Sequence, residues 1–100
     1  MSTSNYQILN IVTEAALESR LIKEVESLGA KGYTISDVRG KGSRGVRSAR
    51  WEASSNIRIE IICDSQIAQT ISLALKEKYY DDYAMVIFSH DVNVMRTDKF

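Results

Sequence analysis

The sequence predicts an α+β sandwich in which two helices lie on one face of a β-sheet. Two observations carry this expectation. Apolar residues alternate along the chain between a strand-like and a helix-like spacing. The predicted elements fall in the order strand, helix, strand, long loop, strand, helix, strand, which is the split βαβ, or ferredoxin-like, arrangement. At 100 residues the chain has the length of one small domain. We expect a single domain over residues 1–100, with the long loop at about 39–55.

Residues 6–13 open the pattern with Ile8, Leu9, Ile11 and Val12, a run short enough for a strand with little free face. Residues 14–28 change to helical spacing, with Leu17, Leu21, Val25 and Leu28 forming one stripe. Thr13 is placed to cap this helix, Glu14 to favour its positive end, and Gly29 to stop it. Residues 32–38 contain Tyr33, Thr34, Ile35 and Val38 and read as a second strand. Residues 56–63 alternate, with Ile57, Ile59 and Ile61 on one face and Arg58, Glu60 and Ile62 on the other. Asp64 or Ser65 caps a second helix with Ile67, Ile71 and Leu75 as its stripe, ending near Tyr79. Residues 83–89 read as a fourth strand, apolar enough to be central, and residues 92–96 as a short extra strand. With both helices on one face, the other face is left apolar enough to need a cover, and a second subunit is the natural one.

Charge singles out the long loop. Lys and Arg total 13, Asp and Glu total 13, and the net charge is zero. Yet Arg39, Lys41, Arg44, Arg47 and Arg50 stand together with no acid between Asp37 and Glu52. The loop therefore holds five positive charges against a body that is net negative, which points to a local anion site rather than a basic surface. Gly40, Gly42 and Gly45 let backbone N–H groups turn toward an anion, and arginine grips two oxygens of one phosphate. The competing reading is a solvated charged turn. Five like charges repel, so a bound anion would order such a loop, which makes it a ready switch.

Other chemistries find little support. One His and one Cys cannot build a structural zinc site within a chain, and no Gly-x-Ser-x-Gly or Walker motif is present. His90 beside Asp91 lacks a nucleophile, so no catalytic residue is expected and the chain is not read as an enzyme. An acylphosphatase-type enzyme would need a cationic cradle after the first strand, where Thr13, Glu14, Ala15 and Ala16 stand instead. An RNA-binding module of the same fold would stack bases on aromatics of the central strands, and residues 57–63 hold none. Cys63 reads as a buried small apolar residue, and its solitude as a sign of a reducing compartment. Trp51 is either a partner-contacting anchor or part of the loop base. Tyr79 and Tyr80 are expected to close the second helix against the sheet. No basic leader and no apolar run of about 20 residues is seen, and we expect a cytoplasmic protein.

Three segments together resemble the PII signal-transduction superfamily: Gly29-Ala-Lys-Gly32-Tyr33-Thr34, Val38-Arg39-Gly40-Lys41-Gly42-Ser43-Arg44, and Arg58-Ile59-Glu60-Ile61-Ile62. The Gly-Lys-Gly-Ser-Arg-x-Val-Arg-Ser segment is most similar to the PII-like branch tied to inorganic carbon uptake, the SbtB and carboxysome-associated PII (CPII) proteins. The resemblance spans about residues 6–96. It implies a homotrimer with nucleotide clefts between subunits, and a T-loop after the second strand that changes shape with the nucleotide. Implied ligands are AMP, ADP, cyclic AMP and ATP, with bicarbonate in the carboxysome-associated branch. The implied partner in the SbtB branch is a bicarbonate transporter, which would bring the protein to the periphery of the inner membrane; nucleic acid is not implied.

By the same resemblance, Gly32, Thr34, Glu60 and Ile62 would lie beside the adenine. Gly40, Gly42, Ser43, Arg44 and Arg47 would face ribose and phosphates, with Lys41 in the same nucleotide site, and Lys41, Arg44 and Arg47 beside a bound phosphate would supply the donors for bicarbonate. Met85, Val86, Ile87 and Phe88 would offer backbone contacts from the neighbouring subunit, and Arg96 would reach a phosphate across the interface. Two departures carry meaning. The T-loop tyrosine that is uridylylated in nitrogen-regulatory members is missing. The glycine-rich loop after the second helix is replaced by Tyr79-Tyr80-Asp81-Asp82, which favours mono- or diphosphates over triphosphates. The Cys-bearing extension of some SbtB proteins is likewise not expected, nor is a redox switch of that kind.

Overall fold

The computed structural model describes residues 5–40 and 55–100. The elements are β1 (Tyr6–Glu14), a 3₁₀ turn (Ala15–Leu17), α1 (Glu18–Ser27), β2 (Thr34–Val38), β3 (Asn56–Asp64), α2 (Ser65–Tyr79), β4 (Val86–Asp91) and a 3₁₀ turn (Thr97–Lys99). The strands form one sheet of order β2-β3-β1-β4 with every pair antiparallel. This is the predicted ferredoxin-like fold, with both helices on one face.

Alternation builds the core. On β1, Leu9, Ile11 and Thr13 point to the helices, and on β3 Ile57, Ile59, Ile61 and Cys63 do the same; all are buried. The helix stripes meet them with Leu17, Leu21 and Val25 from the first helical segment and Ala68, Ile71, Leu75 and Tyr79 from α2. Each such aliphatic side chain contributes about 1.5–3 kcal/mol when taken out of water. Asp64 caps α2, its carboxylate accepting the Ile67 N–H at 2.8 Å. Gly29 ends the first helix at φ 114°, where an L side chain is strained.

Several sequence expectations are corrected. Thr13 does not cap α1. It remains in β1 opposite Ile57, and its hydroxyl donates to the Ala84 carbonyl at 3.2 Å, so the helix begins instead through the 3₁₀ turn. Glu14 is the last residue of β1 and makes no side-chain cap bond. β4 is an edge strand, not a central one, and starts three residues later than its apolar run. The run misleads because its residues serve two surfaces: Tyr83 and Met85 pack on the core ahead of the strand, while Val86 and Phe88 stand on the uncovered face, 55 % and 44 % exposed. Residues 92–96 form no strand; Val92 N–H gives one bond to the Tyr6 carbonyl and the chain leaves the sheet. Among the described residues no helix is long and apolar enough to cross a membrane.

Candidate functional site

The helix-free face is organised in cross-strand rows. One row runs Thr34, Glu60, Asn10, Phe88 from β2 to β4, and the next runs Ser36, Arg58, Val12, Val86. Ile62 and His90 flank Ile8 in a third, and Val38, Asn56 and Glu14 make a short fourth where β2 and β1 end and β3 begins. Polar side chains therefore gather on the β2–β3 side and apolar ones toward β4. Asn10 and Asn56 are only 4 % and 7 % exposed, although this face carries no helix.

Of the residues singled out from sequence, Thr34 and Glu60 are brought directly together as cross-strand partners. Ile62 follows Glu60 on the same face of β3, Gly32 precedes β2, and Gly40 leaves it. A Cβ at Gly32 or Gly40 would meet nothing within 4 Å among the contacts of the chain, so neither glycine is dictated by packing. Lys41, Gly42, Ser43, Arg44 and Arg47 lie outside the described residues, as do Arg50 and Trp51. Val86, Ile87 and Phe88 sit on β4, at the opposite edge from β2, and Met85 just before it is buried in the core. Three strand spacings of about 4.8 Å separate the two edges, roughly 14 Å. One chain cannot bring Thr34 and the β4 backbone to the same small ligand. Arg96 is exposed in the segment after β4, next to Thr97, whose carbonyl accepts a long 3.5 Å bond from the Tyr6 hydroxyl.

The turn between α2 and β4 is firmly held without glycine. Tyr79 is buried, and its hydroxyl donates to Glu24 of α1 at 2.5 Å; Lys78 binds the other oxygen of the same carboxylate at 2.9 Å. Burial pushes the Tyr79 phenol up from its ordinary value, the Glu24 hydrogen bond adds to this, and Arg20 opposes it. Tyr83 meets Tyr79 edge-on at 5.6 Å and donates its N–H to the Tyr79 carbonyl. Tyr80 behaves differently from Tyr79: it is partly exposed, and its hydroxyl accepts the outward N–H of Ile87 at 3.1 Å. That N–H, on the β4 stretch expected to read a base, is thus already engaged. Cys63 is buried, and desolvation followed by the Asp64 charge pushes its thiol up to about 11. It is a core residue, as its isolation suggested.

Sequence reasoning missed Asn10, Asn56 and the inner nitrogen of Arg58. Asn56 Oδ1 and Arg58 Nε are buried without a hydrogen-bond partner, a state that calls for an explanation. Asn10 had a faint signal, as the one polar residue inside Ile8-Leu9-Asn10-Ile11-Val12.

Comparison with known proteins agrees with this geometry. The family model for nitrogen regulatory protein P-II matches residues 6–99. The fold is similar to the crystal structure of a protein from Thermus thermophilus described as a PII-like signaling protein. The TM-score is 0.80 at 45 % identity, covering 95 % of this chain and 94 % of that one. It is similar to CPII from Thiomonas intermedia bound to ADP, AMP and acetate, with TM-score 0.81, 26 % identity, and 95 % and 93 % of the two chains covered. The same CPII bound to ADP and bicarbonate matches with TM-score 0.79 at 27 % identity, again over 95 % and 93 %. A ferredoxin-like sheet of order β2-β3-β1-β4, in a chain matched by one family model over nearly its whole length, places this chain in the nitrogen regulatory protein P-II family.

Proposed function

We propose that this chain is a regulatory, non-enzymatic PII-like protein of the CPII/SbtB kind. In this reading it forms a homotrimer and binds an adenine nucleotide (ADP, AMP, cyclic AMP or ATP) in clefts between subunits. The observation that carries it is the split site: Thr34 and Glu60 at one sheet edge, Val86 to Phe88 at the other, about 14 Å apart in one chain. A neighbouring copy closes that gap if its β4 edge meets this chain's β2–β3 edge. The solved CPII structures with ADP support the nucleotide.

Glu60 accepts from the adenine amino group or a ribose hydroxyl, Thr34 and Ile62 flank the base, and Gly32 and Gly40 let the ligand approach the backbone. The basic residues Lys41, Arg44 and Arg47, with Gly42 and Ser43, neutralise phosphate and set T-loop shape. Arg96 reaches a phosphate from across the interface. Bicarbonate joins the nucleotide, as the CPII complex with ADP and bicarbonate supports. The T-loop then regulates inorganic carbon uptake or carboxysome-linked metabolism, with a bicarbonate transporter as partner at the cytoplasmic side of the inner membrane. Calorimetry with AMP, ADP, ATP and cyclic AMP tests the reading, alongside the mass in solution. Micromolar binding by a trimer, lost in Arg44→Ala and Arg47→Ala, is the expected result. A folded protein that takes up no adenine nucleotide overturns it.

A further inference from the structure

A cleft lined by amides and hydroxyls lies between α2 and the sheet. Its walls are Gln7 of β1, Ser89 of β4, and Ser65, Gln66, Gln69 and Ser72 of α2, around a volume of about 650 Å³. Clefts of this size take small molecules. Gln7 and Ser89 alternate in phase with Leu9 and Ile87, so they belong to the helix side of the sheet. The cleft is therefore on the opposite face from Thr34 and Glu60. It is also at the other end of the strands from Gly40, since Gln7 pairs with Cys63 and Asp91 while Val38 pairs with Asn56. It is separate from the candidate nucleotide site.

No charged side chain lines it. From Ser65 to Leu75 the helix carries no charge, and its exposed positions there are Ser65, Gln66, Gln69, Thr70 and Leu73. The shorter α1, by contrast, holds Glu18, Arg20, Lys23, Glu24 and Glu26. Two carboxylates adjoin the lining residues, and both are engaged. Asp64 accepts the Ile67 N–H at 2.8 Å, and Asp91 accepts from Gln7 Nε2 at 3.0 Å. The second bond orients the Gln7 amide and leaves its carbonyl oxygen as an acceptor for a guest. Ser72 Oγ donates to the Ala68 carbonyl at 2.7 Å, so toward a guest it also accepts. Gln66, Gln69 and Ser89 are exposed and can both donate and accept. A charged guest finds no counter-charge here to offset the loss of its water. A guest covered in hydroxyls finds partners of both kinds.

We infer that this cleft binds a neutral, hydroxyl-rich small molecule, a sugar or polyol. Gln66 and Gln69, three residues apart on one helix face, bond neighbouring hydroxyls. Gln7 and Ser72 accept from the guest, and Ser89 meets it from the strand side. Nucleotides are poor guests, because their phosphates need cations that the lining lacks. The assignment is independent of the nucleotide reading above.

The test is ligand-observed NMR and calorimetry on the full chain, with and without ADP. Maltose, trehalose and myo-inositol are the neutral probes, and gluconate and glucose 6-phosphate the charged controls. At least one neutral probe binds in the millimolar range or tighter, and the charged controls bind about tenfold more weakly or not at all. Gln69→Ala weakens the neutral probe by about fivefold, the worth of one net hydrogen bond. Gln69→Trp fills the cleft from an exposed helix position, leaves the core alone and abolishes binding. The proposal is overturned if no neutral probe binds the folded wild type, if the charged controls bind as well, or if Gln69→Trp keeps the wild-type affinity. A changed mass in solution for Gln69→Trp would assign the cleft to a subunit contact and overturn it too. Failure of ADP to bind counts against the nucleotide reading alone, since the sugar titrations are read without it.

Discussion

Replacing Tyr79 by Phe probes the hold on the turn that delivers β4. The substitution keeps the ring in the core and deletes only the hydroxyl that donates to Glu24 at 2.5 Å. A hydrogen bond to a charged group is worth about 1.5–3 kcal/mol. Glu24 is a fifth exposed on its side chain and keeps its 2.9 Å bond to Lys78, so it is not stranded, and the low end applies. A loss of about 1.5 kcal/mol lowers the melting temperature of a domain this size by roughly 6–12 °C. The pH dependence adds a second readout. The Tyr79 pKa is raised above its ordinary value of 10.0, so the folded state holds the proton more tightly than the unfolded chain. That contribution is complete below pH 10 and is lost as pH rises through the folded-state value. Thermal melts of wild type and Tyr79→Phe from neutral to alkaline pH read both effects. The variant is less stable at neutral pH and shows a shallower alkaline decline. Equal melting at neutral pH together with parallel alkaline limbs would refute the latch.

Further outcomes follow from the same structure. Glu60→Ala weakens ADP binding by about tenfold or more in calorimetry, as loss of a charged hydrogen-bond acceptor requires; unchanged affinity removes Glu60 from the site. Gly29→Ala destabilises by about 1–2 kcal/mol in urea unfolding, because φ 114° is closed to an L residue and the added Cβ would sit 3.3 Å from Ile67 Cδ1. Cys63, buried with its thiol pushed up to about 11, resists alkylation at neutral pH in the native protein and reacts fully in denaturant; fast native labelling contradicts its burial. Asp64→Ala costs about 1 kcal/mol through loss of the α2 cap, read as a lower urea midpoint.

Much of the fold was legible because periodicity and geometry coincide. The clean alternation of Ile57, Ile59 and Ile61 against Arg58, Glu60 and Ile62 is the pleat of β3 read directly, and the α2 stripe from Ile67 to Leu75 falls on one side of one helix. Thr13 was misread because a hydroxyl before a helical stripe looks the same whether it caps or bonds a carbonyl 71 residues away. β4 was misread because apolar content does not say which surface it serves: Val86 and Phe88 look like core until the helix-free face is seen. Thr34 and Glu60 were chosen separately and prove to be partners, a pairing that depends on strand register. Asn56 gave no signal at all, since burial of a polar residue is a property of the assembled sheet.

The contact between Tyr80 and Ile87 bears on how stray extended chains are kept from adding to this sheet. A sheet margin with open amides invites any extended chain to add a strand, which is how soluble proteins begin to form fibrils. Here the phenol oxygen of Tyr80 occupies an outward amide of β4 and its ring stands beside the strand. An incoming strand must first displace that oxygen. The aromatic turn therefore guards one amide of the β4 edge against unintended strand pairing.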